Sequence, residues 1–134
     1  IDKNNLPSKN NDNESDNLSL ALKSNNKEII QIVYFDFDKS KLSRVSINKI
    51  NKFLSKKTIN NYIIVGHTDT KGTKHYNLKL SLNRAQAVKN VLIRAGIDEN
   101  NVSIIGKGEG FLAVKTDDEV KHPANRRVEI FAPN

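Results

Sequence analysis

The chain has 134 residues, about the size of one domain, and its 37% hydrophobic and 28% charged residues suit a soluble fold with no apolar run near the roughly 20 residues of a membrane-spanning helix. It contains no cysteine, which excludes disulfides, thiolate metal sites and cysteine nucleophiles. A formal net charge of +7 and a pI of about 9.6 point to an acidic partner, and nucleic acid, anionic lipid and cell-wall polymer all qualify on charge alone.

Residues 1–27 are dominated by Asn, Ser, Asp and Lys and are expected to form a flexible polar linker, with the domain proper at 28–134. From Ile29 onward there are 18 basic and 10 acidic residues, so the positive excess belongs to the domain. The absence of methionine, even at position 1, suggests a segment of a longer product whose membrane anchor lies outside it.

The run Glu28–Phe35, rich in β-branched and aromatic residues, predicts a first strand ending at the turn-prone Asp36 to Ser40. Between Lys41 and Lys57, Leu42, Val45, Ile50, Phe53 and Leu54 recur at helical spacing and are expected to form one packed face. The continuously apolar Tyr62–Val65 reads as a central strand covered on both sides, running into Gly66-His67-Thr68-Asp69. A second helix, beginning between Thr73 and Tyr76, carries Leu78, Leu82, Ala85, Val88, Val91, Leu92 and Ala95 as its apolar stripe and is capped by Gly96. Val102–Lys107 and Arg126–Ala132 read as strands separated by a polar, Gly-containing loop. The order β-α-β-α-β-β implies an α+β sandwich, a mixed sheet with both helices on one face.

The segment from Gly66 to Val88 holds GHTD, a nearby Gly72, Tyr76-Asn77, Leu80-Ser81 and Arg84-Ala85 with a following Val88. In this order and spacing it resembles the OmpA-like domain family. Tyr34-Phe35-Asp36-Phe37-Asp38 with Leu42 is similar to that family's opening, and Asn125-Arg126-Arg127-Val128-Glu129-Ile130 to its closing strand, so the resemblance covers residues 30 to 131. The departure comes after Gly106-Lys107-Gly108-Glu109, where Gly110-Phe111-Leu112 stands in place of a continuation to proline.

The resemblance implies non-covalent binding of peptidoglycan through the diaminopimelate residue of its stem peptide. That residue ends in an ammonium and a carboxylate, so a receptor needs an anion and a cation at fixed separation. Asp69 would accept from the ammonium and the planar fork of Arg84 would hold the carboxylate. Asp38, Leu80 and Thr70 would complete the ligand contacts, supported by Phe37, Asn77, Ser81 and Arg127. Removing Asp69 or Arg84 is expected to abolish binding without disturbing the fold. Tyr76, Asn77 and Ser81 would brace the helix start, and whichever of Arg126 and Arg127 points inward should find Asp36 or Glu109.

Taken alone, Asp69 could be a turn residue and Arg84 an ordinary surface arginine; the ordered blocks around them argue otherwise. His67 and Asp69 make only two metal ligands, with His75 and His122 in separate segments, so neither a metal nor a cofactor is expected. Nucleic-acid recognition would call for base-stacking aromatics on exposed strands, and at 6% aromatic residues the chain has no such signature. Wall hydrolysis would need a carboxylate pair, or a metal or nucleophile with its base, and none stands out. The expected protein is therefore not an enzyme. It is a periplasmic module of a Gram-negative envelope, tethered to the inner or outer membrane as part of a lipoprotein or outer-membrane protein, a stator unit or a secretion system. A stator-like setting would add a second copy of the chain as a homodimer.

Overall fold

The computed structural model describes residues 29–56 and 61–132. The expected linker at 1–27 lies outside the described residues. Strand β1 (Ile29–Tyr34) is followed by α1 (Arg44–Ser55), β2 (Tyr62–Gly66), α2 (Lys74–Arg94), β3 (Val102–Gly106) and β4 (Arg127–Phe131), with single 3-10 turns before β3 and β4. The four strands form one mixed sheet in the order β1-β4-β2-β3. β2 and β3 are parallel, while β4 runs antiparallel to both β1 and β2. The C-terminal ends of β1, β2 and β3 and the N-terminal end of β4 therefore share one end of the sheet, and their loops converge there.

Both helices pack on one face. Val33, Tyr62, Ile64, Val102, Val128 and Ile130 of the sheet join Ile50, Ala85, Val88, Val91 and Leu92 of the helices in the main core, while Ile63, Val65 and Ile105 cluster on the opposite face with Phe131 against them. All five residues of β2 are buried, as its unbroken apolar run predicts.

The helix ends follow local chemistry. Ser43 Oγ accepts the Ser46 N–H at 3.1 Å, so α1 starts at Arg44, later than its apolar spacing suggests. Thr73 Oγ1 accepts the Tyr76 N–H at 3.1 Å and caps α2. At the other end Gly96 adopts φ of 103°, and Ile97 N–H donates to Leu92 O at 3.0 Å, the left-handed closure expected of a glycine stop.

The expected packing stripes need correction. Val45 is 76% exposed, and α1 turns Ile47 inward in its place, beside the expected Ile50, Phe53 and Leu54. Leu78 and Leu82 of α2 and Ala95 just beyond it are exposed, and the buried face is Asn77, Leu80, Ser81, Arg84, Ala85, Val88, Val91 and Leu92. The cause lies in the sheet. A Cβ on Gly66 would come within 1.9 Å of the Ser81 carbonyl oxygen, and one on Gly106 within 2.9 Å of the Leu82 nitrogen. These two glycines let the helix backbone rest on the strand ends, leaving room there for a serine, while Leu78 and Leu82 face outward.

Candidate functional site

At the end of the sheet where the loops converge lies a pocket of about 240 Å³, lined by Phe37 and Asp38 after β1, Asp69, Lys71 and Gly72 after β2, Tyr76, Asn77, Leu80 and Arg84 of α2, and Glu119 from the loop before β4. Asp69 and Arg84 thus share one wall, as their sequence pattern suggested, and so do Asp38, Leu80, Phe37 and Asn77. The route differs from a simple pairing of neighbouring strands, because β4 separates β1 from β2. Arg84 makes the connection across that gap.

Arg84 is fully buried, and its guanidinium donates to three backbone carbonyls: Lys39 O at 2.8 Å, His67 O at 3.0 Å and Asp36 O at 3.1 Å. It also lies 5.3 Å from the centroid of the Phe35 ring. Burial pulls its pKa down to about 10, with the Asp69 carboxylate opposing the fall, so it remains a cation at neutral pH. Two of its five N–H bonds, one on each terminal nitrogen, are left for other acceptors.

Asp69 is equally enclosed, at 3% exposure. Its Oδ1 accepts the Lys71 N–H at 3.2 Å, and its Oδ2 accepts the His122 N–H at 3.1 Å and Arg126 Nη1 at 3.2 Å. Arg126 in turn donates through Nε to Phe35 O at 3.0 Å. Two backbone N–H groups and one guanidinium therefore already engage the carboxylate. Asp69 and Arg84 thus hold loop backbone together as well as lining the pocket, and removing either is expected to cost stability along with binding.

Asn77 and Ser81 hold the loops to the helix. Asn77 Nδ2 donates to Asp69 O, Lys71 O and Glu109 Oε1 at 3.3, 3.1 and 2.9 Å, and Ser81 Oγ accepts the Gly108 N–H at 2.8 Å. The Tyr76 hydroxyl donates to Asp38, and that bond is the main reason its pKa lies above the ordinary value for tyrosine. Lys121 stands over the Phe37 ring, 4.1 Å from its centroid.

Three expected residues, Ser81, Thr70 and Arg127, lie outside the pocket lining. The Thr70 side chain turns from the pocket toward residues 116–120, where Oγ1 donates to Asp117 O at 2.7 Å and accepts the Val120 N–H at 3.0 Å. Arg127 takes no part in the pocket wall; it contacts Glu129 at 3.0 Å and Phe111 O at 3.1 Å. The partners expected for the arginine pair were also wrong: Arg126 finds Asp69 and Arg127 finds Glu129, not Asp36 or Glu109. Lys71, Gly72, Tyr76 and Glu119 line the pocket outside the expected ligand set, and Arg126 reaches Asp69 although it lies outside the lining. Gly72 and Tyr76 were legible in the motif and Arg126 in the doubled arginine, while Lys71 and Glu119 gave no signal.

Behind the site, His67 Nε2 lies 2.9 Å from Glu129 Oε1. Burial lowers the imidazole pKa, with the Glu129 hydrogen bond working against it. Burial alone would raise the Glu129 carboxyl, but the His67 and Arg127 contacts outweigh it and hold it below the usual carboxylate range. A neutral His67 donating to an ionised Glu129 satisfies both directions, and places His67 in a structural role. Among the described residues no group of three His, Cys, Asp or Glu is placed to hold a metal ion, and no helix is long and apolar enough to cross a membrane.

The sequence matches the OmpA family over residues 34–126. It is 36% identical over 100 residues to outer membrane porin F of Pseudomonas fluorescens, covering 72% of this chain and 31% of that protein. It is 35% identical over 98 residues to the peptidoglycan-associated lipoprotein of Pasteurella multocida, covering 71% of this chain and 65% of the relative. The chain thus spans between about a third and two thirds of these two relatives' lengths. Among solved structures, the peptidoglycan-associated lipoprotein of Burkholderia pseudomallei superposes with a TM-score of 0.68 at 27% identity, over 77% of this chain and 90% of that one. The C-terminal domain of Helicobacter pylori MotB, at 23% identity and a TM-score of 0.66 over 78% of this chain and 86% of that one, shares the fold.

Proposed function

Since the chain belongs to the OmpA family, we propose that it binds peptidoglycan non-covalently, taking the free amino-acid head of a stem-peptide diaminopimelate into the pocket between Asp38, Asp69 and Arg84. The observation that carries this reading is a small cavity of mixed charge with a fully buried guanidinium in its wall. The lining contributes the cations Arg84 and Lys71 and the anions Asp38, Asp69 and Glu119. Such a cavity suits a zwitterion better than an ion of either sign, because each pole meets its opposite and little net charge is buried.

The two unspent N–H bonds of Arg84 offer a fork to one carboxylate. Because the guanidinium is already fixed by three carbonyls, that fork is preorganised and loses little freedom on binding. Leu80 and Phe37 supply apolar contact to the methylene chain leading to the head. The names of the lipoprotein relatives support the same partner. The activity is attachment, with no bond made or broken. It belongs on the periplasmic side of a Gram-negative envelope, where it anchors the membrane protein of which this domain is part.

Co-sedimentation with purified sacculi, joined to an amide-shift titration with the tripeptide L-Ala-γ-D-Glu-meso-diaminopimelate, tests the reading. The parent chain is expected to sediment with the wall, and the tripeptide to shift the amides of Asp38, Asp69, Gly72 and Leu80. Asp69→Asn, which preserves the shape and one acceptor, should weaken both. Shifts confined to another surface, or a parent chain that stays in the supernatant, would sink it.

A further inference from the structure

The mouth of the pocket is bridged by an ion pair between two loops. Lys71 Nζ, from the loop after β2, lies 3.5 Å from Glu119 Oε1, from the loop before β4, with side chains 44% and 58% exposed. We infer that this pair is a latch that exchanges its internal contact for the two poles of the ligand head, Lys71 taking the carboxylate and Glu119 the ammonium. The inference rests on the wall-binding reading and deepens it, by naming residues that select the chemistry of the head.

The inner carboxylate cannot serve the ammonium well by itself. Asp69 already accepts from two backbone N–H groups and from Arg126, so its charge is largely spent within the protein. Glu119 carries no such burden. Its Oε1 meets one exposed lysine and accepts the Gly72 N–H at 3.5 Å, and exposed contacts at that distance contribute little that must be given up. The poles of an amino-acid head hang on a single carbon, so two opposite charges facing each other across a narrow mouth can address both at once.

Glu119 is also held in place. Its own N–H donates to Thr70 O at 3.1 Å and the next N–H, of Val120, to Thr70 Oγ1 at 3.0 Å. Pinned on both sides of its Cα, Glu119 adopts φ of 59°, and Asp38, also in the pocket lining, has φ of 58°; these are the two positive-φ residues other than glycine among the described residues. Sparsely populated backbone of this kind persists where surrounding contacts enforce it. Thr70 thereby acts as a positioning residue, setting the height of Glu119 over the mouth. The latch would read both poles, and so favour diaminopimelate over a stem residue lacking either.

The test compares four synthetic stem tripeptides by isothermal titration against the full chain: one ending in meso-diaminopimelate, one in its amidated form, one in L-lysine and one in L-2-aminopimelate, which lacks the side-chain ammonium. Lys71→Ala should weaken the two ligands with a free side-chain carboxylate about tenfold and leave the amidated and lysine stems at parental affinity. Glu119→Gln should weaken the three stems with an ammonium by a similar factor and leave the aminopimelate stem unchanged. Both changes are at exposed side chains, and an unaltered melting midpoint would verify that the fold is intact. If both variants retain parental affinity for every stem while Asp69→Asn loses it, the pocket stands and the latch falls. If losses ignore which pole is present, the latch also falls. Failure of the parent to bind any stem removes the wall-binding reading and the latch together.

Discussion

In its N-terminal half α2 turns Asn77, Ser81 and Arg84 toward the sheet and loops, and in its C-terminal half it turns Ala85, Val88, Val91 and Leu92 the same way. One continuous face is buried throughout, but by different means. The later turns exclude water by apolar packing against β2, β3 and α1. The earlier turns lie where strands give way to loops, whose carbonyls and amides have no strand partners, and there the helix must supply hydrogen bonds. Burial on this helix is decided by what each turn meets, and polar side chains are as integral to the fold as leucines.

The largest effect is expected from Arg84→Ala in the polar half. It would orphan the carbonyls of Asp36, Lys39 and His67 and leave Asp69 with one cation fewer, an expected cost of about 3–5 kcal/mol in urea denaturation. A loss under about 1 kcal/mol would mean the polar half is dispensable to folding. Leu92→Ala, in the apolar half, should cost about 2–5 kcal/mol by cavity formation, with pocket binding intact in the surviving folded fraction.

Gly66→Ala probes the seam between the halves. With the Ser81 carbonyl oxygen 1.9 Å from the new methyl, the helix must shift, at about 1–3 kcal/mol or more, and stem-peptide affinity should fall with it as Arg84 moves. Thr73→Ala removes the cap of the polar half and should cost about 1 kcal/mol in the same denaturation series. Leu82→Gln should change stability by less than about 0.5 kcal/mol, because Leu82 is 44% exposed despite its place in the apolar periodicity. A larger loss there would restore the stripe that spacing alone suggested.

Those leucines mark where sequence reading failed, and the reason is physical. Periodicity assigns a helix face by counting apolar residues, yet here the positions nearest the sheet are set by Gly66 and Gly106, whose missing side chains admit only Ser81 and helix backbone. The buried face accordingly passes through Ser81 and Arg84, which composition would put on a surface. Glu119 and Lys71 were illegible for another reason. They come from different loops, 48 positions apart, and each looks like an ordinary solvated charge.

The order of elements, the Gly96 stop, a start of α2 between Thr73 and Tyr76, and the central apolar strand were written in local chemistry: β-branched runs, helix-start residues and a glycine stop act within a few residues, so the sequence carried them. Which partners Asp69 and Arg84 took was decided only when β4 inserted between β1 and β2 and drew Arg126 up to Asp69 and the loop after β1 under Arg84. Hydrogen bonds and ion pairs between distant segments depend on a chain path that no local pattern encodes.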